Sequence, residues 1–163
     1  MVATAESILD LLHEVKDPEL PMLDVVELGI VRNVHATDDE VRVDITPTYT
    51  ACPAINAIEK EIIETLTAHG VRNVTVRTVY SPAWTTDWMG DEAKEKLRVA
   101  GISPPGRVEE EPLVTLQRAP REVVCPYCGS SDSEERSEFG STACKAIHYC
   151  NSCQQPFDRF KTL

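Results

Sequence analysis

The feature that most constrains this chain is a pair of CxxC motifs, CPYC from Cys125 to Cys128 and CNSC from Cys150 to Cys153, with 21 residues between them. Two intervening residues let both sulfurs face one ion across a tight turn, and two such knuckles supply four thiolates. Four thiolates in a tetrahedron suit Zn²⁺, and a segment this short has too little apolar material to fold without such a staple. A four-thiolate iron site or an iron–sulfur cluster uses the same ligands, so spacing alone leaves zinc and iron both open. Disulfides are the competing use, disfavoured because no secretion signal opens the chain. Cys144 and His148 add donors near the second knuckle, but two matched pairs already fill a closed site. Cys144 is therefore expected not to be a ligand, and the centre to be structural, with no open position for catalysis.

Five of the six cysteines lie beyond GISPPGRVEEEP, Gly101 to Pro112, whose glycines, prolines and three glutamates read as a linker. Charge shifts at the same place: residues 1–111 carry 10 basic and 21 acidic side chains, residues 112–163 six of each. Two modules are implied, an α/β domain over 1–104 and a metal-binding β module over 121–163, joined by a linker over 105–120. The net charge of −11 disfavours nucleic acid, whose binding needs clustered Lys and Arg. Apolar runs far shorter than the ~20 residues that span a bilayer disfavour a membrane and point to a cytoplasmic protein.

In the first module Ile8, Leu11, Leu12 and Val15 recur at helical spacing, and Pro18 predicts a helix end near Lys16. Ile30, Val31 and the alternating Val41, Val43 and Ile45, around Asp38 and Asp39, predict a β-hairpin. Ile55, Ile58, Ile62, Ile63 and Leu66 mark a second helix closed by Gly70. Val74, Val76 and Val79 mark a third strand, and DEAKEKLRVAG a last short helix. The order α, β, β, α, β, α implies an α+β fold, a small mixed sheet with helices on one face, followed by a zinc-ribbon-like β module.

Between the second strand and second helix lies TPTYTACPA. If Pro53 takes the first helical position, Cys52 becomes the N-cap, where free backbone N–H groups stabilise a thiolate. Cys52 is then a candidate nucleophile, redox thiol or metal ligand, against the plain alternative of a small buried hydrophobe. Asp17, Glu19 and Glu27 are candidate proton acceptors or hard ligands for iron, or simply a solvated turn. Thr46, Thr48 and Thr50 are candidate donors to a thiolate, or ordinary strand residues. His13 and His35 have no evident partner. Trp84 and Trp88, in SPAWTTDWM, are read as partly exposed and suited to a protein interface, or else as caps on the core.

Taken together, DPELP, ELGIV, TPTYTACPA and SPAWTTDWM resemble the small iron–sulfur assembly family that includes the bacterial sulfur-utilisation T protein and the eukaryotic cytosolic iron–sulfur targeting factor, over roughly residues 5–100. The cysteine module, with FGSTACKAIHYCNSCQQPFDRFK, is similar to that of the D components of the phenylacetyl-CoA ring epoxidase system. The resemblance implies a non-catalytic accessory factor that assists assembly of an iron–sulfur or iron centre in that oxygenase. It places the family's acidic pair on Asp17 and Glu19, its threonine on Thr48 and its reactive cysteine on Cys52, which would hold iron or a cluster transiently. Tyr49 stands where many relatives have a second threonine. Implied partners are the epoxidase components or their reductase and the iron–sulfur assembly machinery, with a homodimer left open. An adaptor that handles no metal, serving as a structural part of the oxygenase complex, and a thiol-dependent enzyme are the alternatives.

Overall fold

The computed structural model describes residues 4–37, 39–49, 52–106 and 122–162. The chain divides into two compact units, residues 1–84 with 88–93, and residues 85–87 with 94–163.

The first unit begins with helix α1, Ala5–Leu12, started by a reciprocal cap: Thr4 Oγ1 accepts from the Ser7 N–H at 3.1 Å and Ser7 Oγ from the Thr4 N–H at 3.0 Å. The helix stops at Leu12, short of the expected end near Lys16. Glu14 and Val15 donate to carbonyls three residues back, and the Lys16 backbone then bridges to Asp24. Val15 still reaches the core, so its spacing signalled burial and not helix. The hairpin forms as predicted from β1, Val31–Ala36, and β2, Val41–Ile45. Of its expected turn, Asp38 lies outside the described residues, and Thr37 and Glu40 close the loop by backbone and side-chain bonds.

Helix α2, Ile55–Ala68, crosses over to β3, Val74–Thr78, which pairs in parallel with β2. The sheet order is β1-β2-β3, mixed as expected. Ile58, Ile62 and Leu66 of α2 and Val41, Val43 and Ile45 of β2 form the core with Ile8 and Leu12. The C-terminus of α2 is closed by bonds from Gly70 to Thr67 and from Val71 to Leu66, with Gly70 at φ +82. That reversal needs a left-handed residue, which glycine adopts without strain. A 3₁₀ turn, Thr86–Trp88, leads into α3, Asp91–Val99.

The second unit contains a four-stranded sheet of order β4-β7-β6-β5. Its strands are β4, Ile102–Ser103, β5, Ser133–Ser137, β6, Lys145–Cys150, and β7, Pro156–Phe160. Ile102 and Ser103 thus form an edge strand in parallel with Asp158 and Arg159, at a place read from sequence as linker and first domain. Backbone pairing needs no apolar pattern, and for that reason composition could not reveal it. Most of the expected 105–120 linker lies outside the described residues. Val123, Cys125, Cys150 and Phe157, with Cys153 against them, form a small buried cluster in this unit, and Ile102, Ala146 and Phe160 are buried as well.

Candidate metal centre and thiol site

Each CxxC pair sits on a turn that folds back on itself. The Gly129 N–H donates to the Cys125 carbonyl at 2.9 Å and the Gln154 N–H to the Cys150 carbonyl at 2.9 Å. The residue after each second cysteine is left-handed, Gly129 at φ +76 and Gln154 at φ +59. The two knuckles therefore share one backbone path, and they bring four sulfurs within 4.8 Å of one another. Cys125 and Cys153 lie 3.7 Å apart and Cys128 and Cys150 3.6 Å apart. A tetrahedron with metal–sulfur bonds of about 2.3 Å has edges of about 3.8 Å, so the donor set fits a four-thiolate ion.

The thiols also titrate apart. The Cys153 N–H helps pull Cys150 down to about 7, whereas burial and then the neighbouring sulfurs push Cys153 up to about 12. Without a cation the cluster resists carrying four negative charges, and a bound ion supplies the missing charge. Among the described residues this is the one set of three or more Cys, His, Asp or Glu ligand atoms so close together. Cys144 stands outside it, buried, with its sulfur 3.0 Å from Thr142 Oγ1.

The first unit presents a different thiol. The residue capping α2 is Ala54, so Cys52 lies two residues before the cap and not at it, which corrects the N-cap expectation. The cause is a turn: the Cys52 N–H bonds to the Tyr49 carbonyl and the Ile55 N–H to the Cys52 carbonyl, which delays the helix. Cys52 is half-buried. Burial pushes its thiol up, and the charges of Glu19 and Asp17 push the same way, against the Ala54 N–H and the Thr48 hydroxyl that hydrogen-bond the sulfur. The expected lowering by a helix terminus is overturned: the shift runs upward. The fold nevertheless brings Cys52, Thr48, Asp17 and Glu19 within one electrostatic neighbourhood. Asp17 is buried and holds its own loop, Oδ1 accepting from the Glu19 and Leu20 N–H groups at 2.8 and 2.9 Å. Thr46 is buried beside β2, and Thr50 lies outside the described residues.

Trp84 departs from the reading of two partly exposed indoles. It is 5% exposed, and its Nε1–H donates to the Leu28 carbonyl at 3.0 Å. A docking role for Trp84 is withdrawn on that ground; Trp88 alone is partly exposed, with the Arg32 guanidinium 3.6 Å above its ring. Gly29, at φ +73, lets this segment approach: a Cβ there would meet Trp88 Cβ at 3.0 Å. Both histidines also have partners, His13 on Asp24 at 3.0 Å and His35 on Asn33 at 2.9 Å.

Asp24 was missed by sequence reading. It is buried, with Oδ1 accepting from the Val26 and Glu27 N–H groups and Oδ2 facing His13 and Lys16. Glu27 is the reciprocal half, its Oε2 accepting from the Asp24 N–H at 3.2 Å. The Asp-x-x-Glu spacing at 24 and 27 is the capping-box signature and was legible. The network anchors the segment that carries Asp17 and Glu19. Among the described residues no helix is long and apolar enough to cross a membrane.

Residues 5–77 match the family described as iron–sulfur cluster assembly protein, and residues 109–161 match the PaaD zinc beta ribbon domain. The class is thus an iron–sulfur assembly domain followed by a zinc ribbon. The chain is 44% identical, over 94% of its length and 90% of the relative's, to an Escherichia coli K12 protein named provisionally as the D component of 1,2-phenylacetyl-CoA epoxidase, and it belongs to that protein's family. The chain is also 38% identical to the Staphylococcus aureus Fe-S protein maturation auxiliary factor SufT, over 52% of this chain and 97% of that one. It is 34% identical to the Bacillus subtilis Fe-S protein maturation auxiliary factor YitW, over 60% and 96%. Among solved structures, a conserved hypothetical protein of Thermotoga maritima matches at TM-score 0.51 and 37% identity, over 58% of this chain and 94% of that one. A Bacillus anthracis domain of unknown function, DUF59, matches at 0.54 and 29%, over 57% and 90%.

Proposed function

We propose that this chain is a non-catalytic maturation factor that helps build an iron or iron–sulfur centre in a phenylacetyl-CoA epoxidase. The observation that carries this reading is the setting of Cys52, a half-buried thiol hydrogen-bonded by Thr48 and facing the charges of Glu19 and Asp17. Those carboxylates disfavour a bare thiolate but favour a cation. An arriving iron ion or cluster, which is cargo here, reverses the balance: the sulfur gives up its proton to solvent as it gains a positive neighbour. Holding is thereby coupled to the presence of cargo. Family membership and the similarity to maturation factors over part of the chain support the same reading.

The four-cysteine centre takes zinc in this reading and keeps the ribbon folded, with Cys125, Cys128, Cys150 and Cys153 as ligands. Trp88 and the exposed Tyr127 on the first knuckle offer aromatic contacts to the recipient oxygenase component or its reductase.

One observation favours an adaptor that carries no metal. Cys52, Asp17 and Glu19 do not bring three ligand atoms within 4.8 Å of one another. Coexpression of the oxygenase with wild-type protein or with Cys52→Ala decides between the two. A carrier yields an under-metallated oxygenase with the variant, while the variant itself stays folded and keeps its zinc. Full metallation with Cys52→Ala overturns the carrier. A thiol enzyme is disfavoured by the raised thiol pKa.

A further inference from the structure

The ribbon unit holds another pair of ligand-type side chains, apart from the four cysteines. His148 on β6 stands opposite Glu135 on β5, and the imidazole Nε2 lies 3.5 Å from Glu135 Oε2. His148 is 5% exposed, and neither of its ring nitrogens has a hydrogen-bond partner among the described residues. Native folds seldom bury polar atoms unmatched, and those they do bury call for a group that completes them. Phe157 packs against one side of the ring, with centroids 5.7 Å apart, so the imidazole is held in place. Glu135 is 47% exposed on the edge strand and covers Nε2 as a movable cap. The pair lines an open cleft of about 560 Å³ that also receives Glu122, Ser131, Ser133 and Arg159.

We propose that His148 Nε2 and the Glu135 carboxylate form a second metal site, for a divalent cation of the iron-to-zinc series, distinct from the four-cysteine centre. Two donors on one ion with bonds of about 2.1 Å lie roughly 3–3.5 Å apart, and the observed 3.5 Å needs only a small closure. Imidazole nitrogen with carboxylate oxygen suits Fe²⁺, Co²⁺ and Zn²⁺ better than Ca²⁺, Mg²⁺ or Cu⁺. Among the described residues no third cysteine, histidine or carboxylate ligand atom lies within 4.8 Å of both, so water fills the remaining positions. The cleft has room for it. The Arg159 guanidinium in the same cleft opposes a cation and keeps affinity modest. An ion held this way exchanges readily, as a loading or handover position requires and a structural centre does not.

The test is a Co²⁺ titration of the zinc-loaded full chain carrying Cys52→Ala, which removes the thiol site from consideration. The expected result is one Co²⁺ bound per chain with weak visible absorption, no intense sulfur-to-cobalt band, and paramagnetic shifts on the His148 ring protons. Glu135→Gln, an exposed edge substitution that leaves zinc content unchanged, weakens binding by about tenfold or more, and Glu134→Gln beside it has no effect. Absence of Co²⁺ binding, a sulfur-to-cobalt band that signals zinc displacement, or equal affinity in Glu135→Gln overturns the site. Because every sample lacks the Cys52 thiol, failure of the carrier reading and failure of this one are separable.

Discussion

The two units solve the same stability problem by different means. The first buries Ile8, Leu12, Leu28, Ile45, Ile58, Ile62 and Leu66 completely or nearly so, an apolar core large enough to hold a three-stranded sheet and its helices. Among the described residues the second gathers Val123, Cys125, Cys150 and Phe157 in one small cluster, two of those four being proposed ligands, with Ile102, Ala146 and Phe160 buried besides. Where hydrophobic burial is scarce, a bound ion takes its place, because binding a metal to a site that exists only when folded is itself folding free energy. The difference also separates the chemistry: the thiols of the ribbon are closed upon one another, whereas Cys52 stands alone beside carboxylates.

The sharpest way to break this comparison is to remove the metal. Structural zinc in small modules contributes an apparent free energy of about 10–16 kcal/mol. Chelation, or Cys150→Ser, should abolish hydrogen-exchange protection in β5, β6 and β7 and leave β1, β2 and β3 protected. Persistent protection in β6 would show that the small cluster suffices without an ion. The converse test is Ile62→Ala, which opens a cavity between α2 and the sheet and should cost about 2–5 kcal/mol in chemical unfolding while zinc content stays unchanged.

A smaller effect is expected at Asp24. Replacing it by Ala leaves the Val26 and Glu27 N–H groups without their acceptor and should cost about 1–3 kcal/mol. Burial pushes its carboxyl up, but the Glu27 N–H, the side-chain contacts with His13 and Glu27, and the His13 charge prevail and hold it below the ordinary 3.8. A lowered folded-state pKa means that the unfolded chain binds the proton more readily. The contribution of Asp24 is thus present above about pH 3.8 and fades as pH falls through the folded-state value. In Asp24→Asn the acid limb of the stability profile should flatten over that range, and an unchanged limb would remove Asp24 from the account. The smallest effect is Thr4→Ala, which breaks the α1 cap and should cost about 1 kcal/mol, read as a shift in the unfolding midpoint with no change in slope.

Several parts of this arrangement were legible in the residues because their signals are local. The hairpin, α2 with its Gly70 cap and the two knuckles each follow from spacing within a few residues, and the periodicity or chemistry that marks them is also what folds them. The helix end at Leu12 was misplaced because Val15 keeps helical spacing while the backbone just after it enters a strand-like bridge, Lys16 with Asp24. Ile102 and Ser103 were read as linker because a two-residue edge strand has no pattern of its own. Trp84 and Cys52 were misjudged for one reason: exposure and pKa depend on neighbours from other segments, Leu28 for the indole and Glu19 and Asp17 for the thiol.

The sequence by itself determined that this protein has two modules, one held by an apolar core and one by four cysteines, since composition and short-range spacing fix which groups can be buried or ligated. Only the tertiary structure decided that Asp24 pairs with His13 and Lys16 of the preceding segment, that burial and the charges of Glu19 and Asp17 push the Cys52 thiol up, and that His148 meets Glu135 beside an open cleft. Those properties depend on how charges and hydrogen-bonding groups on different turns and strands are set against one another. Their strength depends on distance and burial, neither of which exists until the strands have paired.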